Sequence, residues 1–141
     1  MEEEGLTALL CEQNPHARQT IEGALNLMDY RITVAENARD ALKRLRYHAY
    51  DLIVVNESFD TNNPDANGVL IYLERLTMSV RRNIFVAMIS NRYRTMDNMM
   101  AFQKSVNMII NVDNISDFDK ILRRGLADYG MFYRVYKEYK N

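Results

Sequence analysis

The sequence has a single cysteine, two prolines, five glycines and no tryptophan in 141 residues. With Cys11 alone, an internal disulfide is excluded, and a reducing compartment, the cytoplasm, is the natural expectation. Cys11 lies inside the apolar run LTALLC, where a thiol serves as a small buried hydrophobe rather than a nucleophile. No linker rich in proline, glycine or serine divides the chain, and there is no repeat or low-complexity tract. One domain with a true core is expected at this length. An excess of one charge is also missing. The formal net charge of −1 supplies no general attraction to nucleic acid or to an anionic membrane. No apolar stretch approaches the ~20 residues that cross a bilayer. The acidic start MEEEGLTALL has no basic n-region or long apolar h-region, so it reads as a protein N-terminus without a signal peptide.

What the chain does have is alternation. Short apolar runs at 6–11, 31–35, 52–55, 84–89 and 108–112 are separated by segments with helical spacing. Runs apolar at nearly every position suit strands covered on both faces, as in a parallel sheet. Asn14 followed by Pro15 marks one helix start, with Ala17, Ile21, Ala24, Leu25 and Met28 on its inner face. Asn37 is placed to cap a second helix, with Ala38, Ala41, Leu42 and Leu45 inward. A third helix follows Gly68 with Val69, Leu70, Leu73 and Leu76 inward. A fourth is expected over roughly 92–104, with Met96, Met99 and Met100 inward, and a fifth opens near Ser116 with Phe118, Ile121, Leu122 and Leu126. Strand–helix units of this kind imply parallel strands, right-handed crossovers and a three-layer α/β sandwich. The functional crevice of such sheets lies outside the carboxyl ends of the strands. That directs attention to Glu12 and Gln13, Asn56, Ser90 and the stretch around Val112.

At these positions the chain resembles the receiver domain of bacterial two-component response regulators, over about residues 5–128. The resemblance implies a flavodoxin-like (βα)5 fold, strand order 2-1-3-4-5, in a signalling module rather than an enzyme. In that family an acidic pair after the first strand and an aspartate after the third hold magnesium. The aspartate accepts a phosphoryl group, and a Ser or Thr and a Lys contact it. Here LLCEQNP stands at the acidic pair, which becomes Glu12 and Gln13. YDLIVVN puts Asn56 at the acceptor position. The loop ESFDTNNPDANG keeps Pro64 and Gly68 but is longer than the family's, and AMIS keeps Ser90. Val112 and Asp113 replace the Lys-Pro, and Ile109 falls at the aromatic switch position. An amide is a very weak nucleophile toward phosphorus. Magnesium favours carboxylate oxygens in octahedral array, so binding is expected to be weak or absent. The lost Lys removes a partner for phosphoryl oxygens. The reading is a pseudo-receiver, phosphorylation-independent and acting as a protein–protein interaction module.

Two alternatives stand beside it. One is a phosphoryl acceptor relocated to Glu57, Asp60 or Asp65, although a solvated turn-rich loop accounts for these residues well. The other is a small-ligand sensor at the vestigial pocket. Asp51 is expected to be a surface charge at the far end of its strand. His16 and His48 have no ligand partners at metal spacing, and no phosphate-cradling glycine loop or hydrolase motif is present.

Residues 129–141 form an aromatic and basic extension of the last helix. Gly125 and Gly130 would each weaken a continuous helix there by up to ~1 kcal/mol. Such side chains suit packing on their own domain first, a partner or homodimer contact second, and nucleic acid a distant third. The candidate interaction surface comprises Met96, Met99, Met100, Ile109, Tyr129, Phe132 and Tyr136. A protein partner is expected, and no membrane association.

Overall fold

The computed structural model describes residues 5–130. Five strands, β1 (Thr7–Cys11), β2 (Arg31–Val34), β3 (Leu52–Asn56), β4 (Phe85–Ser90) and β5 (Met108–Asn111), form one sheet in the order β2-β1-β3-β4-β5. Every neighbouring pair is parallel. The crossovers carry α1 (Pro15–Leu27), α2 (Ala38–Tyr47), α3 (Gly68–Glu74), α4 (Met78–Arg81) and α5 (Asn98–Gln103), and α6 (Phe118–Asp128) follows β5. This is the flavodoxin-like sandwich expected from the sequence.

The alternation of side chains along each strand divides the core in two. Ala8, Leu10, Leu52, Val54, Ala87, Ile89, Met108 and Ile110 pack with α1 and α6 residues such as Ile21, Leu25, Phe118 and Leu122. Their neighbours Leu9, Cys11, Ile53, Val55, Val86, Met88 and Ile109 pack on the other face with Ala41, Val69, Leu73 and Ala101 of α2, α3 and α5. The central strands are buried on both sides, which is why their sequences read as unbroken apolar runs.

Three helix starts are fixed by amide caps. Asn14 accepts from the Ala17 N–H, Asn37 from Asp40 and Asn67 from Leu70. Asn63 and Asn111 do the same for two short 3-10 turns, Pro64–Ala66 and Val112–Asp117. Each satisfies a backbone donor that the first turn of a helix leaves without an intrahelical partner.

Several expectations need correction. The fourth sequence helix does not begin at 92. Residues 91–97 form an irregular segment in which Met96 takes φ 65° and donates its N–H to Ile109 O, and α5 starts only at Asn98, capped by Asp97. Strand β5 stops at Asn111, because the Asn111 side chain accepts the Asp113 N–H and turns the chain into the 3-10 segment. Helix α3 ends at Glu74, and the short α4 that follows was not anticipated.

Asp51 is not a simple surface charge, since its carboxylate accepts the Thr7 N–H at 2.9 Å and ties the start of β3 to that of β1. Gly125 sits inside α6 without ending it. A Cβ there would lie 2.7 Å from Met108 Cε, so its lack of a side chain lets α6 approach β5. Helix α6 ends at Asp128, and Gly130 follows with φ 69°.

Candidate functional site

The register of the sheet assembles the site. Cys11 is paired with Val55, so the next residues, Glu12 and Asn56, meet just beyond the strand ends. Asn56 donates Nδ2–H to Glu12 Oε1 at 2.8 Å. The second carboxylate oxygen, Oε2, accepts the Asn14 N–H at 3.0 Å. Asn56 Oδ1 accepts the Ser58 N–H at 2.8 Å. Glu12 is buried, and its side chain is met by the two directed donors of Asn56 and Asn14. Gln13 lies beside this pair without joining it. Its Oε1 accepts the Asp60 N–H, and the Asp60 carboxylate in turn accepts the Ala38 N–H at the start of α2.

This corner does not fit the magnesium ion that the resemblance implies. Asn56 aims a hydrogen-bond donor at Glu12, where a cation would require lone pairs, and both Glu12 oxygens already have partners. Among the described residues, no three His, Cys, Asp or Glu side chains are grouped to hold a metal. Val112 opens the 3-10 turn and packs against the core face of α1 and α6, so it brings no polar group to the site.

A second constellation was missed by sequence reasoning. Asn56 pairs with Ile89, so the following residues, Glu57 and Ser90, also become neighbours, on the α3–α5 side. The Glu57 side chain is 2% exposed. Its Oε1 meets Arg92 Nη2 at 2.7 Å, while its Oε2 accepts Arg92 Nε–H at 3.2 Å and the Ser90 hydroxyl at 2.5 Å. Arg92 also contacts Asp65 at 3.1 Å, and Asp65 contacts Lys104 Nζ at 3.0 Å. The expectation of a solvated loop therefore fails for Glu57.

Hydrogen bonding to Glu57 raises the Arg92 pKa above its already high value. Lys104, then Arg92, hold the Asp65 carboxyl below its usual range. Tyr93 lies under both cations, 4.7 Å from Arg92 and 5.8 Å from Lys104 Nζ. The available signal was parity. Glu57 continues the Ile53–Val55 face, and Ser90 continues the Val86–Met88 face.

The candidate interaction surface separates into unlike parts. Met99 (76% exposed) and Phe102 (86% exposed) stand out from α5, which overturns the inward placement of Met99. Met100 packs against the α2–α3–α5 core and Met96 against the opposite one. Ile109 is fully buried in the middle of β5 and cannot belong to a surface, because neighbouring β4 and the helices cover it. Tyr129 is exposed and meets the edge of Phe85 at 5.4 Å between ring centroids. Phe132 and Tyr136 lie outside the described residues. Between α5 and α6, a groove of about 450 Å³ is lined by Met96, Ile121, Lys120 and Arg124 among others.

No family model matches the chain, and no curated protein matches it by sequence. Solved structures do match its fold. An orphan response regulator of H. pylori superposes with a TM-score of 0.62 at 22% identity, covering 86% of this chain and 96% of that one. A chemotaxis response regulator of Vibrio cholerae gives 0.66 at 14% identity, with 86% and 99% covered. The receiver domain of a sensor histidine kinase from Pseudomonas aeruginosa, solved with magnesium coordinated in its active-site cleft, gives 0.64 at 18% identity, with 87% and 98% covered. The fold is that of response-regulator receiver domains.

Proposed function

We propose that the chain is a phosphorylation-independent receiver-fold module that acts by binding a protein partner. The observation that carries this reading is the Asn56–Glu12 hydrogen bond. At the acceptor position it leaves a neutral amide, which is not a competent phosphoryl nucleophile, with its donor filling the place of a cation. Receiver folds generally serve as signalling modules, and the proposed role involves no catalysis by the chain. The partner surface is the face of α5, β5 and α6. Exposed Met99 and Phe102 supply apolar contact on α5. The adjoining groove is lined by apolar Met96 and Ile121 together with Lys120, Arg124 and Asp128, the last two paired at 4.0 Å, a combination that suits an amphipathic segment.

Relocated acceptance is the weaker reading, because each loop carboxylate already has partners: Glu57 with Arg92 and Ser90, Asp60 with the Ala38 N–H, and Asp65 with Lys104 and Arg92. Intact-mass measurement after incubation with acetyl phosphate and magnesium tests the proposal. An unchanged mass is expected. A stable gain of one phosphoryl group, lost on changing Glu57 or Asp60 to alanine, would establish the relocated acceptor instead.

A further inference from the structure

The hydroxyl of Ser90 has no spare hydrogen-bonding capacity. A serine hydroxyl offers one donor and two lone pairs. Its O–H goes to Glu57 Oε2, and its oxygen accepts the N–H groups of Arg92 at 3.0 Å and Tyr93 at 3.2 Å. Arg92 adds two further donors, Nε and Nη2, to the same carboxylate. Three donors from one short stretch of chain thus converge on a single anion that belongs to a different strand end. Burying a carboxylate is unfavourable unless such donors replace its water, and removing it leaves those donors facing a site without an acceptor. The vacated space lies beside a cavity of about 230 Å³ whose lining includes Asp65, Asn67, Lys104 and Gln103, so a small ion has a route to it.

We infer that Ser90 and Arg92 form an anion seat for a carboxylate or small oxyanion, and that the chain fills this seat with its own Glu57. Occupancy fixes the start of the segment that leads into α5, because the amides of Arg92 and Tyr93 hang on the hydroxyl that Glu57 orients. Asp65 and Lys104 extend the hold to the long loop and to the end of α5. The consequence for Met99 and Phe102, that the α5 face is presented in one state without an external trigger, rests on the function proposed above. The seat itself does not.

Chemical rescue tests the seat in the full chain. Glu57→Ala empties it while leaving every donor in place. In the unaltered protein the Arg92 Nε–H should exchange slowly with solvent. In the variant its exchange, and that of the Arg92 and Tyr93 amides, should accelerate at least tenfold, with strands β1 and β3 unaffected. Formate or acetate should reverse this saturably, and acetamide or chloride at matched ionic strength should not. Folding of Glu57→Ala only in acetate would support the seat as well.

Glu57→Gln provides the second arm if the alanine variant does not fold at all. Its neutral amide keeps the volume but not the charge, so the Arg92 Nε–H should again exchange at least tenfold faster. Unchanged Arg92 exchange in either folded variant, or accelerated exchange in folded Glu57→Ala that no small anion reverses, would overturn the inference. A phosphoryl adduct on the unaltered protein would sink the proposed function and leave the seat standing.

Discussion

The amide of Asn56 and the carboxylate of Glu12 are mutually satisfied, Nδ2–H to Oε1 at 2.8 Å, in a corner where Glu12 is buried. Asn56→Asp converts this donor–acceptor contact into two adjoining carboxylates. Like charges at that range oppose joint ionisation, so the variant should lose roughly 1–3 kcal/mol of stability at neutral pH. A second carboxylate also restores an oxygen set that a hard divalent cation can use. Thermal melts should therefore show Asn56→Asp recovering on addition of magnesium while the unaltered protein does not respond.

Two phenylalanines near the carboxyl half of the chain should behave oppositely. Phe118 is fully buried and Phe102 is 86% exposed. Phe118→Ala should cost about 3–5 kcal/mol in urea unfolding. Phe102→Ser should stay within ~0.5 kcal/mol. A large cost at Phe102 would mean that its side chain is covered in the folded chain.

Acid should weaken the fold through two carboxylates. The Asp65 carboxyl is held below its usual pKa by Lys104 first and Arg92 second. The Asp40 carboxyl is held down by the Glu36 N–H first and then by Arg44. In each case the unfolded chain takes up a proton more readily than the folded one. The stabilisation is therefore complete above the ordinary carboxylate range, ~4, and is lost as pH falls through the lowered folded values. Urea midpoints measured from about pH 5 down to 2 should fall, and less steeply in Asp65→Asn and Asp40→Asn. The Asp65 contribution should be the more salt-sensitive where its carboxylate is solvated.

Cys11 should be inert while the chain is folded. Burial, and then the charge of Asp40, push its thiol pKa well above the usual value, so little thiolate exists to react. Iodoacetamide labelling should run at least about a hundredfold slower in buffer than in denaturing urea.

The sheet and its order were legible because the central strands announce themselves as unbroken apolar runs, and because Asn14, Asn37 and Pro15 mark helix starts through local chemistry. The 91–97 segment was not legible. Met96, Met99 and Met100 have helical spacing, but Ser90 and Ile109 capture backbone N–H groups of the segment before a helix can form there. The bond from the Met96 N–H to Ile109 O joins the segment to a strand later in the chain, which periodicity does not encode. The Glu12–Asn56 corner could be placed by counting along strands. Glu57 could have been placed the same way, but its position in a run of turn-forming residues hid it. Its partner Arg92 lies 35 residues away, and no local pattern links the two.

The caps of α1, α2 and α3 carry a further consequence. Asn14, Asn37 and Asn67 hold those helix starts with carboxamides, which have no proton to gain in acid. Being uncharged, these three bonds are not screened by salt either, so the amides of Ala17, Asp40 and Leu70 should keep their exchange protection from low to high ionic strength.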